Sequence, residues 1–133
     1  MSGERRVMSA TCPCGVGSAY EGHCGRLHAG ADAITAEELM RSRYSAHVCG
    51  DGSYLSNTWH PDTRPPVIDL DPDVAWRGLD VSRTERGNAL DAEGIVEFTA
   101  IYERTGKIVE MREISRFSRV GGRWVYLDGI RPV

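Results

Sequence analysis

Apolar positions in this chain change their period once, and the change divides it into a helical half and a stranded half. Met40, Tyr44 and Val48 recur at i, i+4 and i+8, with Leu39 and His47 beside them, which is the spacing of one helix face. Thr35 followed by Glu38 forms a capping box, so this helix is expected to begin at about Ala36, and Gly50 to end it. Glu37 and Arg41 add a weak i,i+4 pair. Asp51 caps a second, short helix carrying Tyr54, Leu55, Thr58 and Trp59. It stops before HPDTRPP, because Pro61 disfavours helical geometry at His60. Pro61, Pro65, Pro66 and Pro72 then crowd residues 61–73, which carry little apolar surface and read as a loop.

From Val74 the period becomes that of strands. Leu79 and Val81 alternate, and Gly78 marks a bulge after Trp76. Ile95 to Tyr102, Lys107 to Arg119 and Trp124 to Asp128 read as three further strands, joined by RTGK and VGG turns. Two helices followed by a twisted antiparallel sheet make an α+β domain with the helices on one face.

Length and charge narrow the picture. A chain of 133 residues suits one main core with a small appendage. A formal net charge of −3 supplies no broad basic field for nucleic acid or an anionic membrane, although Arg5, Arg6 and Arg26 stand where they can touch phosphate. No run of 18 or more apolar residues occurs, and the two N-terminal arginines are not followed by an apolar stretch. A cytoplasmic protein is expected. In a reducing compartment, closely spaced cysteines serve as metal ligands or redox thiols more readily than as disulfides.

The stretch CPCGVGSAYEGHCG, residues 12–25, holds three of the four cysteines. Cys12, Cys14, His23 and Cys24 supply the four N and S donors of a tetrahedral zinc site, and four ligands within thirteen residues leave no open coordination position. A structural site follows. Pro13 bends the chain between the first two sulfurs, Gly15 and Gly17 let it turn back, and Ser18 caps a helical turn over Ala19 to Gly22. Arg26 is the expected neighbour balancing the site's negative charge, and His28 an alternative ligand to His23. The spacing is not the Cys-x-x-Cys of a thioredoxin-type redox pair. Cys49, with only His47 near it, reads as a buried thiol.

The pattern Cys12, Cys14, Gly15, Gly17, Tyr20, His23, Cys24, Gly25 resembles the SEC-C motif, the zinc module at the C-terminus of the SecA translocation motor. One departure is visible: the SecA-type motif ends Cys-His, whereas this chain has His23-Cys24. MRSRYSAHV, YLSNTWHP, GIVEFTAIY, ISRF and GRWVYLDG resemble segments of the YchJ family, which joins a SEC-C motif to a cone of the nuclear-transport-factor-2-like type. The resemblance implies a tail over 1–11, a zinc module over 12–28, a linker over 29–34 and a cone domain over 35–133.

Cones of that type often enclose a pocket. Val109, Met111, Glu113, Ser115 and Phe117 share one face of their strand, which sets Glu113 among apolar neighbours. Burial of an unpaired carboxylate raises its pKa into the range of general acid–base work, making Glu113 a catalytic candidate unless Arg41 or Arg43 pairs with it. His60, at the expected pocket mouth, is a second. Arg43, Tyr44, Trp59, Trp76, Glu113 and Tyr126 are candidate pocket residues, with Trp124 among the other aromatics able to line it or to pack as core. Two functions follow as expectations. In the first, the zinc module docks on a protein or ribosome partner, as the likeness to SecA's module, which binds the chaperone SecB, implies. In the second, the cone binds or transforms a small molecule. The expected cofactor is Zn²⁺, with no membrane partner and no strong nucleic-acid signal.

Overall fold

The computed structural model describes residues 11–132 apart from Val16 and Ser18. Residues 1–10 of the expected tail over 1–11, and the Ser18 cap, lie outside the described residues. A 3₁₀ turn, Tyr20–Gly22, leads into α1 (Cys24–His28), followed by α2 (Ala36–Cys49) and α3 (Gly52–Asn57). Strands β1 (Val74–Arg86), β2 (Glu93–Arg104), β3 (Lys107–Val120) and β4 (Arg123–Ile130) form one antiparallel sheet in the order β1-β2-β3-β4.

Local chemistry fixes the element ends. Thr35 Oγ1 accepts from Glu38 N at 3.1 Å at the start of α2. Glu38 Oε1 reaches back to Ile34 N at 2.8 Å, one residue further than a capping box requires. Gly50 closes the helix in the left-handed region at φ 74°. Asp51 Oδ1 caps α3 by accepting from Tyr54 N at 3.0 Å. Both hairpins that join β2, β3 and β4 have two-residue loops with positive φ at both positions, Thr105 and Gly106 in one and Gly121 and Gly122 in the other. That is the type I′ geometry that matches strand twist. In β1 the register slips between Trp76 and Gly78, leaving Arg77 as the extra residue of a bulge.

Helix α2 is buried on more than one side. Its buried set, Ala36, Leu39, Met40, Ser42, Arg43, Tyr44, Ser45 and Ala46, is far wider than the stripe read from the sequence. Met40 and Tyr44 face the sheet, while Ser42 meets the Tyr54 hydroxyl at 2.6 Å and Ser45 meets the Cys12 thiol. The expected stripe fails at its end: Val48 is exposed. Cys49 is exposed as well, a correction to the expected buried thiol, because the helix runs out beyond its packing partners there.

At its N-terminus α2 lies against the β1–β2 hairpin. Ala36 N donates to Gly87 O at 2.9 Å, and a Cβ on Gly94 would sit 2.6 Å from Gly87 Cα. Only small residues permit that crossing. At the other end α3 is tied to β4, with Tyr126 N donating to Thr58 O and His60 N to Tyr126 O, each at 2.8 Å. The core runs from Leu39, Met40 and Tyr44 through Val96, Phe98, Ala100, Phe117 and Trp124, and it is continuous with Cys12, Cys14 and Cys24.

Candidate metal centre and cavity

The ligand atoms of Cys12, Cys14, His23 and Cys24 all lie within 4.8 Å of one another. A tetrahedral first-row ion with bonds of about 2.1–2.3 Å sets its donors roughly 3.5–3.8 Å apart, so one ion can span this set. His23 turns Nδ1 to both Cys14 Sγ and Cys24 Sγ, each at 3.3 Å. The three thiols are 2%, 0% and 1% exposed, which closes the cluster to solvent. Contact with Cys14, then burial, drives the Cys24 thiol pKa far above its ordinary value. The buried Cys24 thiol therefore resists ionisation on its own, and a bound cation would reverse that preference. The donor set fits a metal ion.

Each surrounding residue has an identifiable task. A Cβ on Gly25 would sit 2.7 Å from Tyr20 O and 2.8 Å from Tyr20 Cε2, so the glycine lets the 3₁₀ turn fold onto α1. The Tyr20 hydroxyl then reaches His28 Nδ1 at 2.6 Å, and His28 Nε2 donates to Ser42 O at 2.8 Å. Both nitrogens of His28 are engaged away from the cluster, which rules out its expected role as an alternative ligand. Arg41, rather than Arg26, brings positive charge to the metal site, donating from Nη1 to Cys14 O at 2.8 Å. Arg26 instead forms an ion pair with Glu38 on α2.

A cavity of about 730 Å³ lies between the helices and the sheet. Arg43, Tyr44, Trp59, Trp76, Glu113 and Tyr126 all line it. Arg43 enters from α2, spends Nη1 on Leu55 O at 2.8 Å and Thr58 Oγ1 at 2.7 Å, and lies over the rings of Trp59 and Tyr126 at 5.1 and 4.8 Å. Burial lowers its pKa to about 10, against the opposing pull of Tyr126, Tyr54 and Glu113, so it stays charged at neutral pH. Glu113 Oε2 accepts from Ser115 Oγ at 2.7 Å and from Tyr126 OH at 3.1 Å, and its other oxygen faces Arg131 Nε at 3.8 Å. Burial, then Glu113, holds the Tyr126 phenol pKa well above its usual value, so the phenol remains the donor.

Three expectations change here. Glu113 pairs with Arg131, beyond the end of β4, and not with Arg41, which is held by Glu37 at 2.9 Å, or with Arg43. His60 lies outside the cavity lining; its Nδ1 accepts from Asp62 N at 3.0 Å and shapes the turn after α3. The proline-rich segment is more than a connection, because Pro65, Val67, Ile68 and Leu70 wall the cavity. Sequence reading also missed His47, another lining residue, whose pKa is lowered to about 4 by burial and then by Arg43. Its i+4 spacing from Arg43 was the available signal.

Comparison with known proteins agrees with this architecture. Residues 35–129 match the family described as YchJ, middle NTF2-like domain. A UPF0225 protein from Streptomyces avermitilis is 51% identical over 125 residues, spanning 93% of this chain and 86% of that protein. One from Chromobacterium violaceum is 50% identical over 132 residues, spanning 95% and 96%. The solution structure of a SEC-C motif containing protein from Rhodopseudomonas palustris matches with a TM-score of 0.81 at 30% identity, covering 93% of this chain and 100% of that one. A crystal structure of a SEC-C motif containing protein from Psychrobacter arcticus gives 0.76 at 25% identity, covering 96% and 86%. With its Cys/His cluster packed on the helical face of an NTF2-like sheet, the chain belongs to the YchJ family.

Proposed function

We propose that the cone is a small-molecule-binding chamber and that the Cys/His cluster holds a structural Zn²⁺ that pins α2 over it. The cavity carries this reading: it sets a buried cation, Arg43, and a hydrogen-bonded carboxylate, Glu113, among aromatic walls. A mostly apolar concavity with a few placed polar groups is the usual form of a ligand site. For the cluster, three thiolates with one imidazole suit zinc in a closed shell, and Cys12, Cys14, His23 and Cys24 would hold it. The bound ion supplies cohesion and no chemistry of reaction. The closely spaced thiols, none of them in a disulfide among the described residues, suit a reducing, cytoplasmic setting.

Nile red, a neutral apolar dye, tests the chamber. Its fluorescence should rise on binding the full-length protein and be lost in Ala100→Trp, which fills the space beside a lining residue 2% exposed. An equal rise in a folded Ala100→Trp variant would sink the reading.

A second reading gives the module a docking role on the ribosome, the translocation motor or a chaperone. It rests on the likeness to SEC-C proteins together with the exposed turn at Gly15, Gly17, Glu21 and Gly22. Co-sedimentation with ribosomes at low salt, abolished by Cys12→Ser with Cys14→Ser, supports it, and no sedimentation in the wild type refutes the ribosomal form.

A further inference from the structure

One end of the cavity holds positive charge and N–H donors in excess of the acceptors that meet them. Beyond the two bonds from Arg43 Nη1, no acceptor among the described residues meets Nε or Nη2. Beside it the buried Trp59 Nε1 has no hydrogen-bond partner among the described residues, and the guanidinium lies over that same indole. Buried donors are nearly always satisfied, and a buried cation is costly without a counter-charge.

The other charges around the chamber are paired or exposed. Glu113 faces Arg131 and takes two hydroxyls, and Asp71 Oδ2 accepts from Arg104 Nε at 3.0 Å. Asp69 stands exposed. Arg43 is thus the lining cation whose charge no side-chain carboxylate contacts among the described residues. An anion with acceptor atoms suits these donors. A planar carboxylate matches the guanidinium fork and leaves an oxygen for a neighbouring indole N–H. Glu113 already offsets part of the Arg43 charge and opposes added negative charge, so a ligand with one charge is favoured over a ligand with two. Tyr44, Trp76, Phe98 and Phe117, with Met40 and Met111 between them, offer a wall for a flat apolar body.

We propose that the chamber takes an aromatic monocarboxylate, its carboxylate on Arg43 and Trp59 Nε1 and its ring system against Tyr44, Trp76, Phe98 and Phe117. This rests on the reading of the cone as a small-molecule chamber. Calorimetric titration of the full-length, metal-loaded protein with 2-naphthaleneacetate, 2-naphthaleneacetamide and 2-naphthylethylamine tests it. The acid should bind about tenfold or more tighter than the amide or the amine, in line with a charge-assisted, bidentate contact. Arg43→Gln should erase that preference by weakening the acid far more than the amide. Trp59→Phe keeps the ring and removes only the N–H; it should weaken the acid several-fold, and it keeps the test decisive if Arg43→Gln does not fold. The proposal is overturned if the amide or the amine matches the acid, or if neither variant alters the preference. Failure of all three probes while Nile red still binds removes the carboxylate assignment and leaves the chamber standing; failure of Nile red as well removes both.

Discussion

Stripping the metal should destabilise the cone and not merely loosen the module. Cys12, Cys14 and Cys24 belong to the same buried cluster as Leu39, Met40, Tyr44 and Val96. The module is also fastened to α2 through Cys12 Sγ to Ser45 Oγ at 3.5 Å, Arg41 to Cys14 O at 2.8 Å and His28 to Ser42 O at 2.8 Å. An unliganded cluster leaves three thiols in mutual contact inside that core. Structural zinc sites contribute on the order of 10 kcal/mol of apparent binding energy, comparable to the entire stability of a domain at about 5–15 kcal/mol. With metal held at a thousand times its Kd, mass action gives about 4 kcal/mol. For a domain of this size that corresponds to a Tm lowered by roughly 12–16 °C. The assay is thermal unfolding followed by near-ultraviolet circular dichroism, which reports the cavity aromatics Trp59, Trp76 and Tyr126, with and without a zinc chelator. An aromatic transition unmoved while bound metal is lost would refute the shared core.

Further outcomes follow from single contacts. His47 has a folded-state pKa near 4 against an ordinary 6.5, so the unfolded chain takes up a proton first as pH falls. Stability should drop between about pH 6.5 and 4 by about 3 kcal/mol more in the wild type than in His47→Phe; parallel pH profiles in urea titrations would contradict this. Gly129→Ala places a Cβ 2.7 Å from Glu113 Cδ, displacing the carboxylate from Ser115 and Tyr126. A loss of about 2 kcal/mol in denaturant unfolding is expected, about 1 kcal/mol for each hydrogen bond. Gly25→Ala drives a Cβ into Tyr20 and so breaks the Tyr20–His28 contact, which should cost about 1–3 kcal/mol and lower metal affinity in a competition titration. Unchanged affinity there would show that the turn gives way without reaching the ligands.

What the sequence disclosed and what it hid divide along physical lines. The Thr35 cap, the Gly50 stop, the bulge at Gly78 and the two tight hairpins depend on neighbours in the chain, so residue type alone announces them. The Cys/His cluster was legible for the same reason, since Cys12 to Cys24 converge through their own turn. Packing partners were not. Ser42, Ser45 and Ala46 are wholly buried because the module and α3 close on them, and small polar residues give no apolar period. Arg26 was the nearer cation in sequence, yet α2 delivers Arg41 to Cys14. Glu113 found Arg131 from beyond the last strand, a pairing that needs the sheet to exist first. The segment Val67-Ile68-Asp69-Leu70 shows why a proline-rich loop with scattered apolar residues is easily read as a mere connection: its apolar surface gains meaning only opposite the cavity.

Occupation of the chamber is read most directly at the indole N–H of Trp59. The chain has three tryptophans, and Trp124 Nε1 already donates to Ile34 O at 3.1 Å, whereas Trp59 Nε1 is buried without an acceptor among the described residues. In a ¹⁵N–¹H correlation spectrum, adding 2-naphthaleneacetate should move the Trp59 indole proton downfield as it gains a charged acceptor and leave that of Trp124 in place. An unmoved Trp59 signal at saturating acid would contradict a ligand chamber built around Arg43.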